Sequence, residues 1–180
     1  LDSMFPNAFG QTLVAANGDK LPLNGQYKAS LWRADKLIWM EDFHNDICDG
    51  GKNSLLDVYF RAQTQIGSWY FGLVDNSGWT AFAAGDTNGS HAGWTEFTSY
   101  SEGARQTWSP AAAASKSISN TTVATFSISA SGNLKGIFVT SVSTKGSTAS
   151  TGVLWSTAPF GSVVPVNNGD QLKVTYTVNA

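Results

Sequence analysis

The chain is poor in charged side chains and has almost no cysteine. Charged residues make up 13% of its 180 residues, about half the usual share, and the formal net charge is −2. Lysine and arginine are scattered singly, so no basic stripe is present to neutralise nucleic-acid phosphates. The single cysteine, Cys48, cannot form an intrachain disulfide and is predicted to be a small, partly buried apolar residue. We therefore expect no nucleic-acid partner and no disulfide framework.

Long apolar runs are also missing. No stretch approaches the roughly 18 consecutive apolar residues that a membrane helix needs. The first residues, Leu1-Asp2-Ser3, lack the basic segment followed by an apolar one that marks a signal peptide. We expect neither a membrane partner nor a signal peptide.

The clearest structural signal is an apolar run followed by a long polar segment. Large apolar side chains fall on both faces of one predicted strand, at Trp69, Tyr70, Phe71, Leu73 and Val74. Such a strand is buried on both sides, at the centre of a two-layer structure. Turn-forming residues follow at 75–78, and residues 81–93 are small, polar and glycine-rich. The pattern predicts a rigid strand that presents a long loop for contact.

Most of the remaining chain alternates between apolar and polar residues, as half-buried strands do. The predicted strands are 27–34, 37–47, 69–74, 96–101, 105–109, 124–130, 134–143, 153–160 and 172–178. Eight or nine strands at this spacing, without an internal repeat, predict an all-β, antiparallel, jelly-roll-like β-sandwich. We assign this domain to residues 26–180.

One short helix is predicted, at residues 54–62. Ser54 is a good N-cap, Asp57 lies near the positive end of the helix, and Arg61 lies near its negative end. Apolar residues at positions 55, 56, 59 and 60 trace one helical stripe. The segment 49–51, Asp-Gly-Gly, is expected to end the preceding strand.

Residues 1–25 differ from the rest and are predicted to form an N-terminal arm. They contain isolated apolar residues, two prolines and three glycines, with one short strand expected near 11–16. Apolar side chains stand at Met4, Phe5, Phe9, Leu13 and Val14. An exposed apolar patch is unusual without a partner, so the arm is expected to pack either on its own domain or on a neighbouring chain.

The sequence contains no convincing catalytic or metal-binding pattern. Its two histidines, His44 and His91, match no metal-ligand spacing, and no G-x-S-x-G nucleophile motif is present. An acid pair for glycoside hydrolysis would have to come from Asp75, Asp86, Glu96 and Glu102. That mechanism depends on the separation of two carboxylates, which a sequence does not show. We expect no enzyme activity, no metal and no cofactor.

The seven tryptophans allow two interpretations. An exposed pair would suit the stacking of sugar rings, as in a carbohydrate-binding module. Tryptophan also carries a large apolar area with one polar group, which suits a protein core or a protein interface. The core or interface interpretation is favoured.

A series of short motifs follows in a characteristic order. These are G-G-K-N-x-x-L-D ending at Asp57, W-Y-x-G-L-x-D-N at 69–76, A-A-G-D-T-x-x-S-H-A-G-W-x-E at 83–96, Y-S-E at 100–102 with Arg105, K-G-x-F at 135–138, T-K-G at 144–146, L-W-S-T-A at 154–158 and G-D-Q-L-K-V-T-Y-T at 169–177. This order resembles a family of small proteins encoded by tailed bacteriophages, over roughly residues 50–178.

The resemblance implies a virion structural protein, and in particular a capsid cement or decoration protein. Such a protein is made in the cytoplasm of the bacterial host and binds the outside of the head, commonly as a trimer on the major capsid protein. On this hypothesis Met4, Phe5 and Phe9 contact a neighbouring subunit, and Trp79 and Trp94 flank a contact between subunits. The alternatives are a tail-fibre or receptor-binding module, a carbohydrate-binding β-sandwich, and an enzyme that degrades surface polysaccharide.

Overall fold

The structure, a computed structural model, describes residues 23–180 and contains eleven strands and one helix in that range. The strands are β1 (Asn24–Arg33), β2 (Lys36–His44), β3 (Asp46–Ile47), β4 (Trp69–Asp75), β5 (Thr95–Phe97), β6 (Gln106–Trp108), β7 (Ser117–Ser119), β8 (Ala124–Ser127), β9 (Gly132–Thr140), β10 (Leu154–Val166) and β11 (Gln171–Asn179). The helix is α1 (Asp49–Arg61).

Two antiparallel sheets form a sandwich. The first sheet has the order β2-β1-β11-β7, and β8 also pairs with β11. The second has the order β3-β10-β9-β4-β5, and β6 also pairs with β4. The predicted all-β antiparallel sandwich with one helix is confirmed.

The core between the sheets follows the alternation of apolar residues. In β11, Leu172, Val174, Tyr176 and Val178 are buried and the intervening residues are not. Each lies beside a buried position of β1, as in the pairing of Tyr27 with Tyr176. Because successive strand residues face opposite sides, every second residue enters the core.

Strand β4 lies inside its sheet, with β9 on one side and β5 and β6 on the other. Phe71 and Leu73 enter the core between the sheets. On the opposite face, Val74 belongs to a second buried cluster. A Cβ atom on Gly72 would overlap the Phe138 ring, so only glycine fits there. The predicted burial of this strand on both faces is confirmed.

Buried tyrosines form the aromatic centre of the core. The rings of Tyr27 and Tyr176 stack with centroids 4.2 Å apart. The Tyr27 hydroxyl lies 3.1 Å from Ser156 Oγ. The Tyr176 hydroxyl accepts hydrogen bonds from Asn45 Nδ2 at 2.9 Å and from Trp155 Nε1 at 3.0 Å. Both hydroxyls therefore have partners, as buried polar groups require.

The predicted strand 37–47 is divided between the two sheets. Strand β2 pairs with β1 in the first sheet, whereas β3 pairs with β10 in the second. The chain crosses at Asn45, whose backbone N–H donates to the Gly25 carbonyl. This division and the additional strand β7 account for eleven strands where eight or nine were expected. Strand β10 also continues to Val166, past the predicted end at 160.

The predicted helix start at Ser54 and the predicted stop at 49–51 are wrong. Helix α1 begins at Asp49, with Cys48 as its N-cap. Gly51 is buried, and a Cβ atom there would lie 2.6 Å from the Trp155 carbonyl oxygen. The glycine thus permits close packing of the helix on β10. The helix ends at Arg61, and its C-cap, Ala62, adopts the left-handed conformation with φ of 53°.

The N-terminal arm lies mostly outside the described residues, and so does the strand expected near 11–16. Asn24 and Gly25, assigned to the arm, belong to β1. Between residues 23 and 180, no helix has the length and apolarity that crossing a membrane requires.

Stability at alkaline pH is expected to depend on the buried tyrosines. Burial raises the pKa of Tyr176 to about 12 and raises the pKa of Tyr27 well above its usual value. An unfolded tyrosine ionises near pH 10, whereas the folded one stays protonated, so stability declines as pH rises above about 10. Each tyrosine contributes a slope of up to about 1.4 kcal/mol per pH unit.

Urea unfolding at a series of pH values from 8 to 12 measures this slope. Tyr27→Phe keeps the stacked ring and removes the ionisable hydroxyl, so the variant should show a shallower decline. An unfolding free energy that stays constant across this range would contradict the analysis.

Candidate interaction surfaces

The loop between β4 and β5, residues 76–94, packs on the outer face of the second sheet through a row of aromatic rings. Trp79 contacts Phe82 at 4.6 Å between centroids, and Phe82 contacts Trp94 at 5.5 Å. Trp94 continues the row to Phe138 of β9 at 5.0 Å, and His91 stacks on Trp94 at 3.9 Å. The loop is therefore part of the folded body.

Polar side chains of the loop hold its own backbone. The Asp86 carboxylate accepts hydrogen bonds from Trp94 Nε1 and from the Ala83 N–H, both at 2.9 Å. His91 Nδ1 donates to the Trp94 carbonyl at 3.0 Å. The ionisable side chains of Asp86 and His91 thus hold the loop in its conformation.

A buried arginine ties the far end of the loop to the segment 141–149. Arg105 is 4% exposed and forms a bidentate pair with Glu96, with Nε–Oε1 of 2.9 Å and Nη2–Oε2 of 2.8 Å. Its other N–H groups donate to the carbonyls of Val142 and Ser147 and to Asn88 Oδ1. All five donors of the guanidinium are occupied.

Asn88 links the arginine site to β9. Its Oδ1 accepts a bond from Thr140 Oγ1 at 2.9 Å, and its Nδ2 donates to the Ala149 carbonyl at 2.9 Å. A recess of about 240 Å³ lies beside these residues. The hydrogen bonds of this site connect three chain segments. Because the charges of Arg105 and Glu96 cancel and every guanidinium donor is used, the site offers little to a ligand. Asn88 stands at an unspecified motif position, so the sequence did not indicate its role.

The acids considered for catalysis have structural partners. Asp75 Oδ1 accepts from the Ser77 N–H at 2.7 Å, and Glu102 accepts from the Ser127 N–H at 3.1 Å. His44 is on the edge strand β2, whereas His91 is in the loop. Within the described part of the chain, no group of three or more His, Cys, Asp or Glu residues is arranged to hold a metal ion.

Cys48 is buried, as its predicted role as a small apolar residue requires, and more fully than expected. Burial raises the pKa of its thiol to about 11. The thiol is therefore protonated at neutral pH, and it is the thiolate that reacts. Its contribution is to packing at the start of α1.

Helix α1 exposes the apolar stripe that the sequence predicted. Leu56, Tyr59 and Phe60 are 53%, 79% and 75% exposed. The two aromatic rings contact each other edge to face, 4.9 Å apart. We call these three residues the helix patch. The opposite face carries Gly51 and Val58, which are buried and half-buried.

A second apolar surface lies on the edge strand β2. Leu37, Ile38 and Met40 are exposed there, and Val163 of β10 lines the same recess as Ile38. No described strand pairs with the outer edge of β2. We call these four residues the edge patch. Unpaired edge strands are frequent sites of chain association.

The predicted interface residues differ in exposure, and three of them lie outside the described part of the chain. Met4, Phe5 and Phe9 lie outside the described residues. Trp79 is half-buried and keeps part of its ring open. Trp94 is 3% exposed and gives a neighbouring chain almost no surface, because its ring is covered by the loop's own aromatic row. Trp94 affects a neighbouring chain only by shaping the loop around it, and its interface role stays a prediction.

The tryptophans pack mainly within the chain. Trp94 and Trp108 are buried, and the remaining five are half-buried, at positions 32, 39, 69, 79 and 155. Sequence reasoning missed the edge patch and the exposure of the helix patch. The sequence did contain a signal for which face of α1 is buried. Gly51, Ser54 and Val58 lie on one face, and small residues suit close packing against a sheet.

Comparisons with known proteins do not identify a family. No family model matches the chain, and no curated protein is significantly similar to it. The resemblance to tailed-phage proteins therefore stays a prediction.

The buried ion pair is expected to be essential for stability. Arg105→Met leaves the Glu96 carboxylate buried without its partner, and such a loss costs about 3–5 kcal/mol. Arg61→Ala removes an exposed pair with Asp57 on α1 and is the matched control, with an effect of about 0.5 kcal/mol or less. Urea unfolding of both variants measures the difference.

Addition of Glu96→Gln to Arg105→Met should recover part of the loss, because the unpaired charge is then absent. If Arg105→Met were as mild as Arg61→Ala, the assigned role of the pair would be wrong.

Proposed function

We propose that this chain is a structural protein of a tailed-phage virion, which binds the outside of the major capsid lattice and stabilises the head. The observation that carries the proposal is the helix patch, with three large apolar side chains exposed on one turn and a half of helix. Contiguous exposed apolar groups of this kind mark interaction sites. The motif order that resembles phage proteins supports the choice of partner.

The composition of the chain suits broad contact with other proteins. Charged residues are costly at the centre of an interface, and only 13% of this chain is charged. Exposed Tyr59 and Phe60 are suited to be the energetic centre of such a contact, since aromatic residues are enriched at interface cores. A cement protein needs contacts of this type to hold adjacent capsomers together against the internal pressure of packaged DNA.

The edge patch suits contact between copies of the chain. Among the described strands none pairs with the outer edge of β2, which offers backbone hydrogen-bonding groups, and Leu37 and Met40 offer apolar surface beside them. Identical chains usually assemble with closed symmetry. A trimer is the closed form that the phage resemblance favours.

The arm supplies the remaining proposed contacts. Met4, Phe5 and Phe9 lie far enough from Leu23 along the chain to reach a neighbouring subunit, since an extended chain spans about 3.3 Å per residue. We assign these three residues to contact with an adjacent chain.

A carbohydrate-binding module is the second candidate function, and the exposed rings of Tyr59 and Phe60 are the observation in its favour. Sugar rings stack on aromatic faces. The planes of these two rings are inclined by 76°, so they do not form one flat platform. This geometry favours a protein partner.

Replacement of the helix patch should abolish capsid binding without unfolding the chain. Tyr59→Ser and Phe60→Ser remove interface anchors, each expected to weaken binding by about tenfold or more. Val123→Ser, at an exposed apolar residue outside the patch, is the matched control. Cosedimentation with purified heads that lack this protein measures binding, and circular dichroism verifies the fold. Unchanged binding, or a virion map with the chain at the tail tip, would contradict the proposal.

Deletion of residues 1–10 tests the arm separately. The shortened chain should occupy purified heads poorly, because its contacts with the adjacent subunit are gone. Occupancy is measured by electron microscopy of the particles. Full occupancy by the shortened chain would refute the assigned role of Met4, Phe5 and Phe9.

A further inference from the structure

The first sheet ends in two edges that no described strand covers. One is β2. At the other, residues 109–114 run antiparallel to residues 117–121, outside β7, with bridges at Pro110 and Ala114. From residue 23 onward, no strand pairs with the outer side of either edge. We call residues 109–114 the hairpin edge. Because unpaired edges offer backbone hydrogen-bonding groups, each suits contact with another chain.

Pairing of β2 with its own copy is unfavourable. The strand pairs regularly with β1 from Trp39 to His44, and the register shifts before Trp39. An antiparallel contact that uses all of residues 39–44 places Glu41 directly opposite Asp42 of the other copy, twice by symmetry. Like charges in that position are destabilising. A contact between β2 and a different edge avoids this repulsion.

The hairpin edge and β2 are complementary in charge. Residues 106–127 contain no acidic residue, and their single charge is Lys116, in the turn that follows the hairpin edge. Residues 36–47, which include β2 and β3, contain three acids and one lysine. Complementary charges favour one docking arrangement over others.

The strand register places Asp46 and Lys116 at the same end of the sheet. One row across the sheet joins His44, Gln26, Thr177 and Ser119. Two residues further along, another row joins Asn24, Asn179 and Ser117. Asp46 lies two residues past His44, and Lys116 directly precedes Ser117, so both lie close to this second row. Both side chains are exposed.

A second match between the two edges is apolar. Val123 is exposed and directly precedes Ala124 of β8, which pairs with β11 on the same side as β7. The row of Ala124 continues through Val174 and Ala29 to Glu41 of β2. Since Met40 adjoins Glu41, Val123 and Met40 stand at nearly the same level on opposite edges. Neighbouring residues of a strand alternate between faces, so both side chains lie on the outer face of the sheet.

The two edges run in the same direction. Four antiparallel pairings separate them, those of β2 with β1, β1 with β11, β11 with β7, and β7 with the hairpin edge. A rotation about an axis along the strands therefore brings β2 of one copy beside the hairpin edge of the next and preserves the levels of both. Repeated rotation closes a ring, as heterologous contacts do when the rotation permits.

We propose that copies of the chain associate head to tail through the two edges of the first sheet. The edge patch of one copy contacts Val123 of the next through Met40, and Asp46 lies beside Lys116 of that neighbour. The inference rests on the proposed contact between copies and supplies the second surface of that contact. The helix patch takes no part in it and stays available to bind heads.

A mixture of two variants tests the head-to-tail arrangement. Met40→Asp disables the β2 side of the contact, and Val123→Asp disables the opposite side, because each buries a charge in an apolar contact. Each variant alone should associate about tenfold more weakly than wild type, or worse. An equimolar mixture should form a dimer, because each variant retains one intact edge. Sedimentation equilibrium measures association, and circular dichroism verifies the fold.

A charge exchange tests the ion pair separately. Asp46→Lys and Lys116→Asp should each weaken association by about fivefold, since each brings like charges together, and the double variant should recover it. Asp57→Lys, which makes the same change in net charge on α1, is the matched control and should leave association unchanged.

The outcomes distinguish this inference from the capsid role. Leu56→Asp changes the helix patch, so it should weaken binding to heads and leave association intact. Val123→Ser is milder than Val123→Asp and keeps the helix patch, so it remains a control for binding to heads. The proposal is overturned if wild type stays monomeric at concentrations on the order of 1 mM. It is also overturned if Val123→Asp associates as wild type does, which would indicate a two-fold contact of β2, or if the mixed variants fail to associate.

Discussion

Burial of strand β4 on both faces is the constraint on which the rest of the structure depends. One face, with Phe71 and Leu73, completes the core between the sheets. The other face, with Val74, would be open to water if the segment 76–94 did not cover it. The aromatic row from Trp79 to Phe138 provides that cover, so a glycine-rich loop becomes a second, smaller core. The aromatic and polar side chains of the loop consequently make their contacts within the chain.

Two ion pairs connect distant parts of the chain, each with at least one buried partner. Arg105 and Glu96 form a buried bidentate pair that joins the loop to the segment 141–149. Arg33 forms a similar pair with the buried Asp170 before β11, and this arginine holds the pKa of Asp170 below its usual value. Because only 13% of the residues are charged, much of the surface is uncharged, which suits contact with other proteins over large areas.

Helix α1 shows how packing and composition produce an interaction surface. Its small residues face β10, because only a residue without a Cβ atom can stand where Gly51 meets Trp155. The helix patch of Leu56, Tyr59 and Phe60 consequently faces outward. An amphipathic pattern specifies that two faces differ, but it does not specify which face the rest of the protein covers.

The sequence alone determined the sandwich, the strand alternation and the central position of β4, because these follow from local periodicity, which is written in consecutive residues. It also indicated that Cys48 is a small, partly buried apolar residue and that most tryptophans belong to packed regions. The tertiary structure decided which side of the helix is exposed, where the chain crosses between sheets at Asn45, and that Trp94 and Asn88 stabilise the loop from within. These features depend on contacts between residues far apart in the chain, such as Gly51 with Trp155, and no local pattern encodes such contacts.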